Sequence, residues 1–352
     1  MRRQKRAFES SEAWAWLATR RVVHLATTTP AGTPVLRVLN AAVHDGWVLF
    51  HGAIAGEKSL SLDRPAVVSA HHDVALVPSY FVDPEMACPA TTYYRSVQVH
   101  GMLRDVDDLA RKAAALAAFM AHQQPEGGHA PIRVEDPRYA KELRAVRVFG
   151  VEAERITGKE SLGQDRPPER TQKVVEGLWR RGDPGDAEAI RMILDRSPAA
   201  TPPWLRPPPA LAERGITLVV HVGPDEAARA AEALARTYWR ATDAVDDIRL
   251  SLLRSPSVVA ALDAHGEVVG VARGLGDTVS RGSLHDVWVA EAYRGHGLGR
   301  ALVRLALDHP ALRRCAQIQL ATKDRADFYA PFGFVPWNGP PEHTWMMRHT
   351  AR

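Results

Sequence analysis

The chain has 352 residues, 45% of them hydrophobic and 24% charged, with a net charge of +4. That length exceeds one ordinary hydrophobic core and implies two domains. The composition excludes a disordered or fibrous chain, and so slight a basic excess, scattered along the sequence, argues against a nucleic-acid binder.

Cys88 and Cys315 are the only cysteines. They are too few and too far apart for a disulfide framework or a metal-ligand pair, which suits a reducing cytoplasm. Met1 to Arg6 is basic, but an amphipathic segment from Phe8 to Leu17 follows it in place of the apolar run of a secretion signal. Nowhere do about eighteen apolar residues run together as a spanning helix requires, so no membrane association is expected.

In chain order, a helix is expected over Glu12 to Thr19. Residues 21 to 104 then read as short strands separated by turn signals: RVVHLATT, Ala31-Gly32, PVLRVLNAAV, Asp45-Gly46, WVLFHG, AVVSAHH and YRSVQVHGMLRDV. A helix over Asp107 to His122 places Leu109, Ala113, Leu116 and Phe119 on one face. A strand from Ala145 to Glu154 follows it. Some six antiparallel strands, joined by hairpins and covered by helices, predict a small β-barrel whose closure removes exposed edges.

The proline-rich segment RSPAATPPWLRPPP, Arg196 to Pro209, reads as a linker, because proline excludes it from helix interiors and central strands. This places a barrel domain at 1–205, a linker at about 197–213 and a second domain at 214–352. The second domain reads as α+β. Its strands are ITLVVHV, SVVAALDA, EVVGVARGL, SLHDVWV, QIQLAT and a last one near Thr344 to Arg348. Its helices are Asp225 to Trp239, Ala244 to Leu252, Gly299 to Leu307 and Arg325 to Pro331.

The sharpest motif is Val287-Trp288-Val289, a short connection, then Arg294-Gly295-His296-Gly297-Leu298-Gly299 opening an apolar helix. A strand, a glycine turn and a helix present unpaired N–H groups and a positive dipole end to an anion such as a diphosphate. A dinucleotide fingerprint fails because Arg300 stands where its third glycine belongs, and Leu298-Gly299-Arg300 does not complete a P-loop.

These residues resemble the GNAT superfamily of N-acetyltransferases, whose signature R/Q-x-x-G-x-G/A is met by Arg294, Gly297 and Gly299. LATKDRADFYAPFGF, Leu320 to Phe334, with TYW at Thr237 to Trp239 and GVARGLGD at Gly270 to Asp277, extends the resemblance over nearly all of residues 214 to 352. It implies acetyl-CoA as co-substrate. Backbone groups of Val287, Trp288 and Val289 would meet the acetyl carbonyl and pantetheine, and amides from Gly295 to Arg300 would hold the pyrophosphate. Tyr329 matches the general acid, although beside Phe328 and Phe332 it also reads as a core tyrosine.

The glutamate that some relatives carry as general base is absent, and Ser283 falls at its position. His285, alternating with Val287 on one strand face, is the substitute candidate, with a packed histidine or a chain of waters as the alternatives. Asp243, Asp246 and Asp247 are candidates to attract a cationic amine, or simply a solvated helix start.

HGAIAGEKSLSL, His51 to Leu62, and TTYYRSVQVHG, Thr91 to Gly101, resemble the FMN-binding split barrel of the pyridoxamine 5′-phosphate oxidase-like families, nearest the nitroimidazole-reductase type. The resemblance covers about residues 7 to 197. It implies that Lys58 receives the flavin phosphate, that Arg95 and Ser96 assist, and that backbone groups from Val38 to Asn40 line the isoalloxazine. It also implies a homodimer through the barrel.

His71, His72 and His100 invite a metal or haem reading, but neighbouring strand residues point to opposite faces and no cysteine partner is near, so no metal is assigned. Two functional hypotheses follow. One is an acetyltransferase for a small-molecule amine fused to an FMN-dependent oxidoreductase-like domain. The other is a single-activity acetyltransferase whose barrel is a non-catalytic flavin, haem or deazaflavin module. A DNA-binding regulator is disfavoured, since no helix-turn-helix or basic helix face is recognisable.

Overall fold

The computed structural model describes residues 7–53 and 61–336. The chain divides into two compact units, Met1–Pro167 and Pro168–Arg352.

The first unit begins with β1 (Ala7–Phe8), α1 (Ser10–Ala18), β2 (Val22–Thr28), β3 (Pro34–Asn40), β4 (Ala42–His44) and β5 (Trp47–Ala53). The long strands β6 (Pro65–Val77) and β7 (Thr91–Asp105) follow, then α2 (Leu109–Gln123), α3 (Ala140–Ala145) and β8 (Val146–Ser161). The antiparallel sheet runs β3-β2-β6-β7-β8-β5-β4, with β1 added on β8. Alternation along β2 sends Val23, Leu25 and Thr27 inward and leaves Val22, His24 and Ala26 outside. Ala13 and Leu17 of α1 seal the core formed by Val23, Leu25, Val48, Phe50, Val68, Val97, Val99, Leu103 and Val151.

Two expectations are corrected here. β8 is far longer than the predicted strand, because Ile156 to Ser161 continues the pairing with β7. The sheet curls without closing: β3 and β4 lie at opposite ends of the strand order, joined only through buried Ala41. β3 therefore remains an edge among the described residues, with Leu36 67% and Val38 62% exposed.

The second unit opens with α4 (Pro168–Arg181) and α5 (Asp186–Arg196). After the proline-rich segment come α6 (Pro209–Ala212), β9 (Thr217–Val219), α7 (Pro224–Leu234) and α8 (Val245–Arg254). The remainder is β10 (Ser257–Leu262), β11 (Val268–Gly276), β12 (Arg281–Val289), α9 (Leu298–Asp308), β13 (Gln317–Gln319) and α10 (Ala326–Tyr329). The sheet order is β13-β12-β11-β10-β9, antiparallel except for the parallel pair β12–β13. β10 is buried along its whole length, as a central strand covered on both faces requires. One face carries α7 and α8 through Ala227, Ala230, Leu234, Ile248 and Leu252. The apolar stripe of α9, including Leu298, Leu302 and Leu305, is likewise buried. The expected strand near Thr344 to Arg348 lies outside the described residues.

The proline-rich segment folds as part of this unit. It forms tight turns at Pro198–Ala200 and Pro203–Leu205 and the single helical turn α6. Ala200, Leu205 and Leu211 are buried, and Trp204 stacks on Trp179 of α4 with ring centroids 4.6 Å apart. Trp179 Nε1 donates to Asp308 at 2.8 Å, and Arg313 donates to the Trp179 carbonyl at 2.8 Å. These contacts tie α4 to the end of α9. Proline supplies pre-set backbone angles for such turns while its ring still packs, so composition alone misread the segment as a spacer.

His309 sits in this cluster, edge-on to Trp179 at 5.3 Å. Burial first, then the Arg313 cation and His221, lower its pKa to about 4. A histidine held neutral in the fold and titrating near 6.5 when unfolded stabilises above that value and loses its contribution as pH falls toward 4. The loss is on the order of 3 kcal/mol. Urea unfolding between pH 7 and pH 4 is expected to show it, and His309→Gln to flatten that slope; an unchanged slope would remove His309 as the cause.

Candidate active site

Strands β12 and β13 pair only from Arg281↔Gln317 to Ser283↔Gln319. Among the described residues β12 then continues to Val289 with no strand paired on that side, which leaves that edge open from Leu284 onward. A second irregularity sits in the same stretch. On the β11 side the register passes from Arg273↔His285 to Val271↔Trp288, so one extra residue is accommodated in β12. Asp286 takes the strain with φ 52°, a left-handed conformation that Asp tolerates better than most side chains.

The bulge overturns the expected alternation. His285, opposite Arg273, shares a face with Trp288, opposite Val271, and the simple pattern joining His285 to Val287 is broken. His285 Nε2 lies 2.8 Å from Ser283 Oγ. Burial of the ring, then the Arg273 cation, lowers the His285 pKa and keeps the imidazole neutral at pH 7. The serine at the expected base position and the histidine thus form one hydrogen-bonded pair.

After β12 the chain makes a short turn at Glu291–Tyr293 and enters the glycine motif. Arg294 Nε donates to the Val289 carbonyl at 3.0 Å, folding the turn back on the strand end. Gly295 and Gly297 have φ of 80° and 82°, which accounts for glycine at both. Gly297 caps α9, whose first N–H groups are left for an anion. Gly299 has another reason: a Cβ there would come 3.3 Å from the Phe328 ring. Its absence lets α10 sit against the first turn of α9. Leu298 is buried, whereas His296 and Arg300 are exposed around the turn.

That packing brings Phe328, and with it the neighbouring Tyr329 of α10, to the first turn of α9, which also lies against Val289 at the end of β12. The Tyr329 ring meets Phe328 at 4.9 Å and Phe334 at 6.0 Å, both edge-on. Burial first, then neighbouring Tyr238, raises its pKa, so the phenol keeps its proton at working pH. Tyr238, 63% exposed, and Trp239 meet edge-on at 4.9 Å in the α7–α8 connection. They were expected inside a longer α7. The helix stops at Leu234, whose carbonyl accepts from Thr237 Oγ1 at 2.6 Å.

A charged cluster that sequence reading missed lies beneath the bulge. Asp286, 7% exposed, accepts from Arg240 Nε at 2.8 Å and Nη2 at 2.7 Å, and from Arg273 Nε at 2.6 Å. Arg240 also binds Asp243 at 2.8 Å, and the exposed Asp246 accepts from Arg249 at 3.3 Å. Burial would push the Asp286 carboxyl up, but hydrogen bonding from Arg240 and the charge of Arg273 prevail and hold it below the ordinary range. Asp286 and Arg273 among apolar strand residues are the signal available in the sequence; their pairing, and the approach of Arg240 from the α7–α8 connection, are not.

In the first unit, Val38 and Asn40 lie on the outer face of edge strand β3, and Val38 pairs across to His24, whose ring stacks on His71 at 5.6 Å. Ser96 looks out on the same side as His71 and Lys159. Arg95 points the other way, opposite His72 and Glu160. It binds Glu160 at 2.7 Å and Glu12, and its guanidinium lies over Phe8 at 4.6 Å. The structure therefore does not bring Arg95 and Ser96 to one ligand. Lys58 lies outside the described residues. The segment containing it leads into Ser61, which is buried and accepts from Thr27 Oγ1 at 3.2 Å; Thr27 in turn accepts from Arg37 at 3.1 Å. Arg37, a half-buried cation inside the apolar strand PVLRVLN, is the basic residue that sequence reading passed over.

Residues 9–160 match the family model described as pyridoxamine 5′-phosphate oxidase, and residues 226–334 match the acetyltransferase (GNAT) family. Among solved structures, a candidate 5-nitroimidazole antibiotic resistance protein from Bacteroides thetaiotaomicron is 16% identical over 44% of this chain and 86% of its own, with a TM-score of 0.36. A flavocytochrome from Azotobacter vinelandii is 20% identical over 44% of this chain and 69% of its own, at 0.37. A candidate GNAT acetyltransferase from Xanthomonas campestris pv. campestris is 25% identical over 38% of this chain and 93% of its own, at 0.34. No curated protein matches the chain.

Proposed function

We propose that the chain transfers the acetyl group of acetyl-CoA to a small-molecule amine and holds FMN in the barrel, a reading supported by its matches to the pyridoxamine 5′-phosphate oxidase and GNAT acetyltransferase family models. The observation that supports the first half is the unpaired edge of β12 beyond Ser283, with the α9 N-terminus against its Val289 end and α10, which carries Tyr329, packed on that turn through Phe328.

In this reading, the N–H groups from Gly295 to Arg300 and the α9 dipole hold the pyrophosphate. The backbone of Val287, Trp288 and Val289 orients pantetheine and polarises the acetyl carbonyl. The amine nitrogen bonds to the acetyl carbon and the carbon–sulfur bond breaks. Tyr329 gives its proton to the departing thiolate, and the amine's proton leaves through His285 and Ser283. Tyr238 and Trp239 offer the acceptor an exposed aromatic rim.

For the barrel, the Arg37–Thr27–Ser61 chain supports an anion site at the segment that carries Lys58. A flavin there would supply hydride or electron transfer. Ser96, Val38 and Asn40 belong to the outer face of the sheet, where the exposed side chains of β3 suit a homodimer interface. The same reading places the protein in the cytoplasm.

The test is calorimetric titration of the purified protein with acetyl-CoA, beside a visible spectrum and identification of any chromophore released on denaturation. Saturable acetyl-CoA binding and released FMN are expected. A protein that binds no acetyl-CoA overturns the first half. A colourless protein that also ignores added FMN overturns the second.

A further inference from the structure

Asp286 combines three features that rarely coincide: an inward carboxylate, a left-handed backbone, and a place at the one register break of β12. Each has a cost. A buried carboxylate must recover its lost hydration from partners, and a non-glycine residue at positive φ is held only by its surroundings. Both costs are offset by the same contacts. Arg273 reaches Asp286 from the neighbouring strand, while its Nη1 donates to Ser255 at 3.2 Å, at the end of α8. Arg240 reaches it from the α7–α8 connection, directly after Tyr238 and Trp239. The carboxylate thus joins the open-edged part of β12 to the loop that carries the exposed aromatic pair.

Resting on the acetyl-transfer reading, we propose that Asp286 is a positioning residue: its carboxylate, gripped by Arg240 and Arg273, sets the β12 bulge and so aims the Val287–Val289 backbone at the thioester arm of acetyl-CoA. The pyrophosphate site at α9 is built separately, from Gly295, Gly297 and the helix end, and does not depend on this grip. A purely structural ion pair would support both ends of the ligand alike, so the two ends distinguish the accounts.

The experiment uses the full-length protein and two ligands, acetyl-CoA and 3′-phospho-ADP, the fragment of coenzyme A that reaches only the α9 turn. Asp286→Asn keeps the shape and the tolerance of positive φ but removes the charge. Its acetyl-CoA Kd is expected to rise about tenfold, the scale of a lost charge-assisted hydrogen bond, with the Kd for 3′-phospho-ADP unchanged. Arg240→Lys, which keeps the charge but loses the fork, is expected to give a smaller loss of the same kind. It carries the test if Asp286→Asn does not fold. As a control, Asp186→Asn breaks the buried Arg181–Asp186 pair of the same unit, at 2.5 Å, and is expected to lower the melting temperature while leaving both affinities unchanged.

Equal weakening of both ligands in the position-286 or position-240 variants, or no weakening of acetyl-CoA, overturns the positioning role. Wild-type protein that binds 3′-phospho-ADP but gains nothing from the thioester arm overturns it as well. Wild-type protein that binds neither ligand overturns the acetyl-transfer reading beneath it.

Discussion

Tyr329→Phe is expected to lower kcat for acetyl transfer by about 10²-fold or more, within the range for loss of a positioned general acid, and to leave the acetyl-CoA Kd unchanged. The ring contacts with Phe328 and Phe334 survive the substitution, so only the hydroxyl is removed. Since burial and Tyr238 raise the phenol's pKa, wild-type activity is also expected to hold up to pH 9 without a descending limb from Tyr329. Steady-state rates against a panel of primary amines, at saturating acetyl-CoA, make the comparison. Wild-type kcat in the variant would show that the thiolate leaves without this proton.

Gly297→Glu should abolish acetyl-CoA binding, with Kd rising by about 10²-fold or more. Two effects add. A side chain at φ 82° strains the turn by roughly 1–3 kcal/mol, and a carboxylate at the α9 N-terminus competes with the diphosphate for the same N–H groups and dipole. The first effect alone is present in Gly297→Ala, which should fall between the two. Among the described residues only Pro208, at 3.6 Å from a Cβ built there, comes near the position, so the variant is expected to fold. Calorimetry on all three proteins measures the ordering. Normal affinity in Gly297→Glu would place the pyrophosphate elsewhere.

Local signals were legible wherever a residue type has one strong reason to be where it is. Gly295 and Gly297 announced their positive φ and the helix that follows, and the strand periodicity of residues 22–28 and 91–105 gave the curled sheet. The order of strands, the gap left between β3 and β4, and the splitting of β12 from β13 depend on contacts between distant residues, for which a single sequence carries no sign. Asp286 shows the limit most clearly. Read in isolation it is one acid between a histidine and a valine; its meaning comes from Arg240 and Arg273, 46 and 13 residues away. Arg95 shows the converse: a cation that reads as a candidate phosphate ligand in the sequence is paired with Glu160 and Glu12 in the fold.

The folding of the proline-rich segment bears on how this protein can be taken apart. Composition suggests cutting at residue 214 to free an acetyltransferase. Such a cut would discard Leu205 and Leu211, both buried, and Trp204 stacked on Trp179. It would also remove α4, which Arg313 and Asp308 hold against the end of α9, and Pro208, the neighbour of the glycine turn. What resembles a hinge in the sequence is a wall of the second unit. Gene fusions, domain swaps and expression fragments that respect the fold divide the chain at Pro167–Pro168, about 46 residues before the boundary that composition suggests.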